Sequence, residues 1–361
     1  ASDVYKRQTV NNTNIFVGGF VGVNDRYANA PEDEGIYENF EGAVGRIDGC
    51  TNMLDLVIQS TNDLNYITYV GGIAGLNSSG NIIGSNNGVA NMDTSYNNRA
   101  EISGYYTGGI AGASVGNTTM INDDEEVFIY SYISGCVNYA NVSTINERLG
   151  GSSIEASTAG GIVGMSRISF VTYCMNLGTV STEGASAALG GIVGTQETGG
   201  YALSCVNIGD VRYNRYYYDP AEIDVSSAMF AGAIVGMATT GNIISVWYVQ
   251  NSVVMYDNKT STPTRTSVVY GSNGSTYTNS INNVESFDKN NYVEAFLNGP
   301  DKINQVTVQS NNQLVDCIYE RYDGLVAQFA YTEGSNPTIT WVDPATLSSV
   351  SYTHLTLPTI R

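Results

Sequence analysis

The chain has 361 residues, 34 acidic and 15 basic, for a formal net charge of −19. That balance argues against nucleic acid and anionic lipid as partners, because both demand a basic footprint. With 42% hydrophobic residues the chain has enough apolar side chains for a core and is no disordered polyelectrolyte, and no apolar run approaches the roughly 18 residues of a membrane span.

In chain order, residues 1–8 come first, and Asp3–Gln8 reads DVYKRQ. This is the translation of a transposase-end sequencing adapter, GATGTGTATAAGAGACAG. Residues 350–361 carry VSYTHLTLPT, which reads as the reverse strand of the same adapter. Both ends are therefore treated as adapter-derived and set aside. The lone histidine, His354, goes with them, and without Asp3, Lys6, Arg7 and Arg361 the remainder is more acidic still. On this reading the native sequence is an internal piece, with parent chain expected on both sides.

Residues 9–254 are dominated by one recurring segment, Gly-Gly-Ile-x-Gly. It stands at Gly18-Gly19-Phe20, Gly71-Gly72-Ile73, Gly108-Gly109-Ile110, Gly160-Gly161-Ile162, Gly190-Gly191-Ile192 and Gly232-Ala233-Ile234. A unit returning every few tens of residues marks a stacked repeat fold. A second half comes after it in most copies, Cys-x-Asn-x-Gly-x-Val, best seen at Cys174, Asn176 and Val180 and at Cys205, Asn207 and Val211. Cys136, Asn138 and Val142 keep the same slots, and Cys50 with Asn52 joins them. The second copy has Ser85-Asn86-Asn87-Gly88 instead, and the sixth, around residues 247–251, has no Cys, although Val253 fits the Val slot.

The segments around these halves are rich in β-branched residues and lack helical periodicity, which predicts short strands between tight corners. No such coil buries its own apolar face, so coils must stack strand on strand in parallel. The expected fold is all-β: a parallel β-solenoid of about six irregular coils. Stacking places Phe20, Ile73, Ile110, Ile162, Ile192 and Ile234 in one interior ladder, at about 4.8 Å per rung. Glycine is expected to take positive φ at the corner or to permit close backbone approach. Asn sits at a corner, where it tolerates left-handed geometry and bonds neighbouring backbone; whether it faces in or out stays open. The cysteines read as small buried hydrophobes in a ladder, with a disulfide or metal site as the alternative.

Some copies stretch. Gly160 to Asn176 and Gly190 to Asn207 are compact, whereas Gly108 to Asn138 and Gly18 to Asn52 carry extra polar sequence. The excess is expected as surface loops. The first loop holds Tyr27, Glu32, Asp33, Glu34 and Tyr37. The third copy's loop holds Asp123, Asp124, Glu125 and Glu126. A further one after Val211 holds Tyr213, Tyr216, Tyr217, Tyr218 and Asp219. Tyr27, Tyr37, Tyr216, Tyr217, Tyr218 and Asp219 are the candidate ligand-binding residues, since flat rings beside hydrogen-bonding groups suit sugars; plain sheet surface is the alternative. Calcium at Asp123–Glu126 or Glu32–Glu34 is considered too, but neither matches an established loop spacing.

Residues 255–349 lose the motif and read as a mainly-β cap. Met255–Ser280 is expected as irregular coil and Asn291–Asn298 as a short helix. Strands are expected at Lys302–Gln309, Gln313–Glu320, Gly324–Tyr331 and Thr338–Val342.

The repeat at Val17–Val253 resembles the GLUG motif of bacterial surface proteins, including gut species and regions upstream of some immunoglobulin-A-cleaving metallopeptidases. The segment from Tyr292, with Phe296-Leu297-Asn298-Gly299 and Pro337-Thr338-Ile339-Thr340-Trp341, is similar to the segment often found after such repeats. The resemblance implies an exported, extracellular protein and a β-solenoid, with no established chemistry. The function expected is a non-catalytic surface module, adhesin-like or a stalk, meeting glycan or a host or bacterial surface protein through its inserted loops. The competing expectations are a polysaccharide lyase or hydrolase, by analogy with other β-helices, and the non-catalytic upstream region of a surface peptidase. With His354 set aside, neither a Ser-His-Asp triad nor a His-Glu-x-x-His site is available. A carboxylate pair such as Asp123/Glu125 remains, and no cofactor is implied.

Overall fold

The computed structural model describes residues 14–25, 45–57, 67–88, 102–121, 125–144, 157–182, 187–215, 229–257, 262–271, 281–287, 326–330 and 338–342. It is a parallel β-solenoid with four walls, each wall one sheet built from equivalent strands of successive coils. The first wall stacks Asn14–Gly18, Ile67–Gly71, Tyr106–Gly108, Ser157–Gly160, Ala187–Gly190 and Met229–Gly232. The chain turns at each Gly-Gly-Ile and enters the second wall. That wall runs from Val21–Asp25 through Ala74–Ser78, Ala111–Val115, Val163–Arg167 and Val193–Gln196 to Val235–Ala238. The third wall is made of paired short strands such as Ser169–Thr172 with Met175–Asn176, and the fourth of strands such as Val180–Thr182. Register is kept residue for residue: Gly18, Gly71, Gly108, Gly160, Gly190 and Gly232 lie over one another.

Each wall turns its apolar residues inward. Ile73, Ile110, Ile162, Ile192 and Ile234 are fully buried, and so are Val142, Val180 and Val211 in the fourth wall. Ile102 continues that column below Val142. Burying one such side chain contributes about 1.5–3 kcal/mol, so the columns carry much of the stability. Phe20 departs from the expected ladder. It is aligned by its amide bond to the Ile73 carbonyl but is 46% exposed, because it belongs to the first coil and no described coil lies beneath it.

The glycine pairs take the second of their two expected roles. None has positive φ. A Cβ on Gly72 would run into the Gly109 carbonyl and the Asn87 amide; on Gly161, into the Gly191 carbonyl and the Asn176 amide. Close approach by the next coil, not backbone twist, demands glycine here.

The left-handed corner lies elsewhere, at the residue before the Cys slot. Gly49, Gly84, Gly135, Tyr173 and Ser204 have φ of 62°, 55°, 63°, 54° and 54°. They bend the third wall between its paired strands, which leaves Asn free for another task.

The stacking runs further than the repeat motif. Tyr270–Gly271 joins the second wall above Val235–Ala238, and Ile281–Phe287 joins the third above Asn242–Val249. A partial seventh coil thus comes after Val254, where irregular coil was expected. Thr264–Thr266 closes the fourth wall by pairing antiparallel to Val253–Asp257. Val326–Ala330 and Thr338–Val342 form an antiparallel pair at two of the expected strand positions. The expected helix at Asn291–Asn298 and strands at Lys302–Gln309 and Gln313–Glu320 lie outside the described residues.

Candidate binding surface

The interior is occupied by side-chain ladders. Asn52, Asn87, Asn138, Asn176 and Asn207 point inward and are 0–3% exposed. The first four donate through Nδ2 to the Oδ1 of the Asn one coil up: Asn52 to Asn87 at 2.8 Å, Asn87 to Asn138 at 2.9 Å, Asn138 to Asn176 and Asn176 to Asn207 at 2.8 Å. Four Asn nitrogens of this column also donate to the carbonyls of Leu54, Ala140, Gly178 and Gly209. This satisfies amides that would otherwise cost about 1–3 kcal/mol each when buried. In the sixth coil Tyr248 takes the Asn slot, and that coil has Ala233 where the others have the second glycine. The two departures coincide because the glycine makes room for the Asn amide.

The Cys slot is equally closed. Cys136, Cys174 and Cys205 are fully buried free thiols, and Cys50 is a half-buried one. Each buried thiol donates to backbone carbonyls, Cys174 Sγ to Thr172 O at 3.1 Å for one. Burial, then the neighbouring thiols of Cys136 and Cys205, push the Cys174 thiol well above its ordinary value. A protonated, solvent-excluded thiol is neither nucleophile nor metal ligand. Ser85 and Val246 fill the slot in the second and sixth coils.

A second polar ladder, not read from the sequence, lines the corner between the second and third walls. Asn24 Nδ2 donates to Asn77 Oδ1 at 2.8 Å, Asn77 Nδ2 to Ser131 Oγ at 2.7 Å, and Ser169 Oγ to Ser114 Oγ at 2.8 Å. Gln196 closes it by donating to the Gly200 carbonyl at 2.7 Å.

The outer surface is where chemistry meets solvent. The insertion of the third coil folds into an antiparallel hairpin, Asn117–Ile121 with Glu125–Ile129, rather than a loop. It stands at the corner between the second and third walls. Beside it the third wall carries an aromatic strip. Tyr132, Phe170 and Tyr201 occupy one outward column in successive coils. Their rings are stacked, with centroids 5.3 Å apart at 12° and 4.5 Å apart at 16°. Tyr130, at the foot of the hairpin, leans on Phe170 at 4.6 Å and meets Tyr201 edge-on. Phe128 meets Tyr130 edge-on in turn. Burial, with Tyr201 adding to it, raises the Tyr130 phenol above its ordinary range.

Stacked rings cover one another's faces, so only the ends of such a stack offer a flat apolar face. Tyr132, 42% exposed, ends the strip towards the second coil, where the column continues as Asn81. Phe128 on the hairpin is 39% exposed. An open ring face next to an amide, with a second ring on a raised hairpin, is an arrangement suited to a sugar ring. On the first wall Phe16, Tyr69 and Tyr106 form a similar stack at 5.0 and 4.9 Å.

Tyr27, Tyr37, Tyr216, Tyr217, Tyr218 and Asp219 lie outside the described residues, as do Glu32–Glu34, Asp123 and Asp124. Tyr213, from the same insertion as Tyr216, packs against the core. Among the described residues no group of three or more His, Cys, Asp or Glu is placed to hold a metal ion. Two of the described carboxylates are tied to arginine: Asp48 to Arg46 at 2.7 Å, and Asp210 to Arg212 at 2.9 Å and Arg265 at 3.6 Å. Comparison with known proteins found no matching family model, no similar curated protein and no similar solved structure.

The strip had a signal in the sequence. Tyr132, Phe170 and Tyr201 each stand four places before the Cys slot, a period visible only once the copies are aligned on that slot.

Proposed function

We propose that the chain is a non-catalytic, adhesin-like module of an exported bacterial surface protein, built on GLUG-type repeats, that holds glycan against the aromatic corner of its third wall. The observation that carries this reading is the contrast between the two sides of the wall. Inside, the column of Asn amides is hydrogen-bonded coil to coil and the buried thiols donate to backbone carbonyls; outside, Phe128, Tyr130 and Tyr132 cluster at one corner with Tyr132 and Phe128 open to solvent. The resemblance to surface repeats and the strongly acidic, charge-poor composition agree with an exported module. A neutral sugar suits the site better than a cationic partner, because recognition there rests on ring faces and amide groups. The test is a glycan array probed with residues 9–349 and with a Phe128→Ala, Tyr132→Ala variant. Binding to a neutral glycan class that drops at least tenfold in the variant is the expected result. Silence across the array, or hits that the variant keeps, would remove the aromatic corner from the account.

A further inference from the structure

The two ends of the solenoid are finished differently. At the upper end the sixth coil is covered by Tyr270–Gly271, Ile281–Phe287 and the antiparallel strand Thr264–Thr266. At the lower end the strands of the first coil are the terminal strands of all four walls at once. Asn24, Asn52 and Ile47 of this coil stay buried, but three of its other side chains are open where the same columns higher up are closed. Ile15 is 37% exposed, while Ser157 and Ala187 in its column are fully buried. Phe20 is 46% exposed against 0% for the five isoleucines above it. Leu54, at 59%, stands at the position that Ala140 closes at 3% in the third coil. The Asn ladder also ends here: Asn87, Asn138, Asn176 and Asn207 each accept from the Asn below, whereas among the described residues the Oδ1 of Asn52 accepts only from its own coil's Leu54 amide at 3.2 Å.

We propose that this face is a stacking seat for one more coil of the same repeat, entering from the N-terminal side of Asn14. The seat continues an interface that the molecule already makes between every pair of its coils, so its occupant is specified slot by slot. The incoming coil needs an apolar residue beneath Phe20, an Asn able to donate to Asn52 Oδ1, and a glycine pair beneath Gly18 and Gly19. The glycine requirement chooses the source. Each pair is demanded by the coil above it, whose carbonyl sits where a Cβ would go. The seventh coil has Ser267-Val268 in those slots, with Val268 aligned to Ala233; the first slot is glycine in all six coils that carry a described coil above them, so the upper end of a second copy, with Ser267 there, is the wrong occupant. The chain also climbs from the fourth wall of one coil to the first wall of the next throughout, so a coil seated below would hand its chain on at Asn14.

The experiment adds the coil. A duplicate of residues 157–186, one full period by the pairing of Ser157 with Ala187, is fused directly before Ile15 in place of residues 1–14. The expected result is a thermal midpoint raised by roughly 5 °C or more, loss of fluorescence from an apolar dye, and at least tenfold slower amide exchange through residues 15–22 and 46–57. A control fusion carrying Ile162→Asp and Asn176→Ala in the duplicated copy should give none of these gains. A duplicate that is clipped by protease with exchange in residues 15–22 unchanged would overturn the proposal. So would a concentration-dependent dimer of the unfused chain that Phe20→Asp dissolves, since a second copy would then own the seat.

Discussion

Glycine serves two separate purposes in this chain, and one substitution made at two sites tells them apart. At Gly135 the backbone is left-handed, and an added Cβ would find nothing closer than the Gly84 nitrogen at 3.9 Å. Gly135→Ala therefore costs only the left-handed penalty, about 1 kcal/mol, as two other coils already bear with Tyr173 and Ser204 in that slot. At Gly161 the φ is ordinary and the space is absent. Gly161→Ala is expected to cost about 3 kcal/mol or more, read as a lower urea midpoint at constant slope. The buried thiols give a second measurement at this scale. The Cys174 thiol is held above its ordinary 9.0, so it stays protonated in the fold after the unfolded chain has lost its proton. Its contribution is complete below about pH 9 and declines as pH rises beyond it. The thermal midpoint should be level near neutrality and fall above pH 9. Cys174→Ala, although less stable at pH 7, should show a shallower alkaline fall.

Between elements, the front and back halves of each coil are one device. The second glycine leaves the space that the inward Asn occupies, and the coil that lost the Asn also lost the glycine. Asn176→Ala removes the acceptor for Asn138 and the donor for Asn207 and is expected to cost about 2–3 kcal/mol. Adding it to Gly161→Ala should give less than the sum, because the amide that the new Cβ strikes is gone. The rescue is partial, since the Gly191 carbonyl remains in the way. A double-mutant cycle by urea unfolding checks this; strict additivity would separate the two halves. Such coupling explains what could be read in advance. Gly-Gly-Ile-x-Gly and Cys-x-Asn are fixed by close approach and burial, so they recur as letters. The aromatic column is not so fixed. It runs Arg46, Asn81, Tyr132, Phe170, Tyr201, Asn242, because an outward position accepts almost any side chain. The second polar ladder mixes Asn24, Asn77, Ser114, Ser166 and Gln196, which share only the ability to hydrogen bond. The seventh coil was hidden for a related reason: with no described coil above it, it has no need of glycine.

For the whole molecule, these constraints separate a uniform interior from a variable exterior. The interior repeats one solution, with the Asn column and the buried thiols hydrogen-bonded from coil to coil or to backbone. The exterior varies from coil to coil, and its aromatic corner is where the proposed glycan would rest. The fold was legible because it is periodic; the aromatic corner was not, because the hairpin that makes it is inserted in a single coil among the described residues. The most direct measurement incubates residues 9–349 with a panel of insoluble neutral polysaccharides and tracks retained protein and released sugar in the same tube. The account predicts retention on at least one polymer without released product, and loss of that retention in the Phe128→Ala, Tyr132→Ala variant at an unchanged thermal midpoint. Released oligosaccharide from the wild-type protein, or retention that the variant keeps in full, would contradict it.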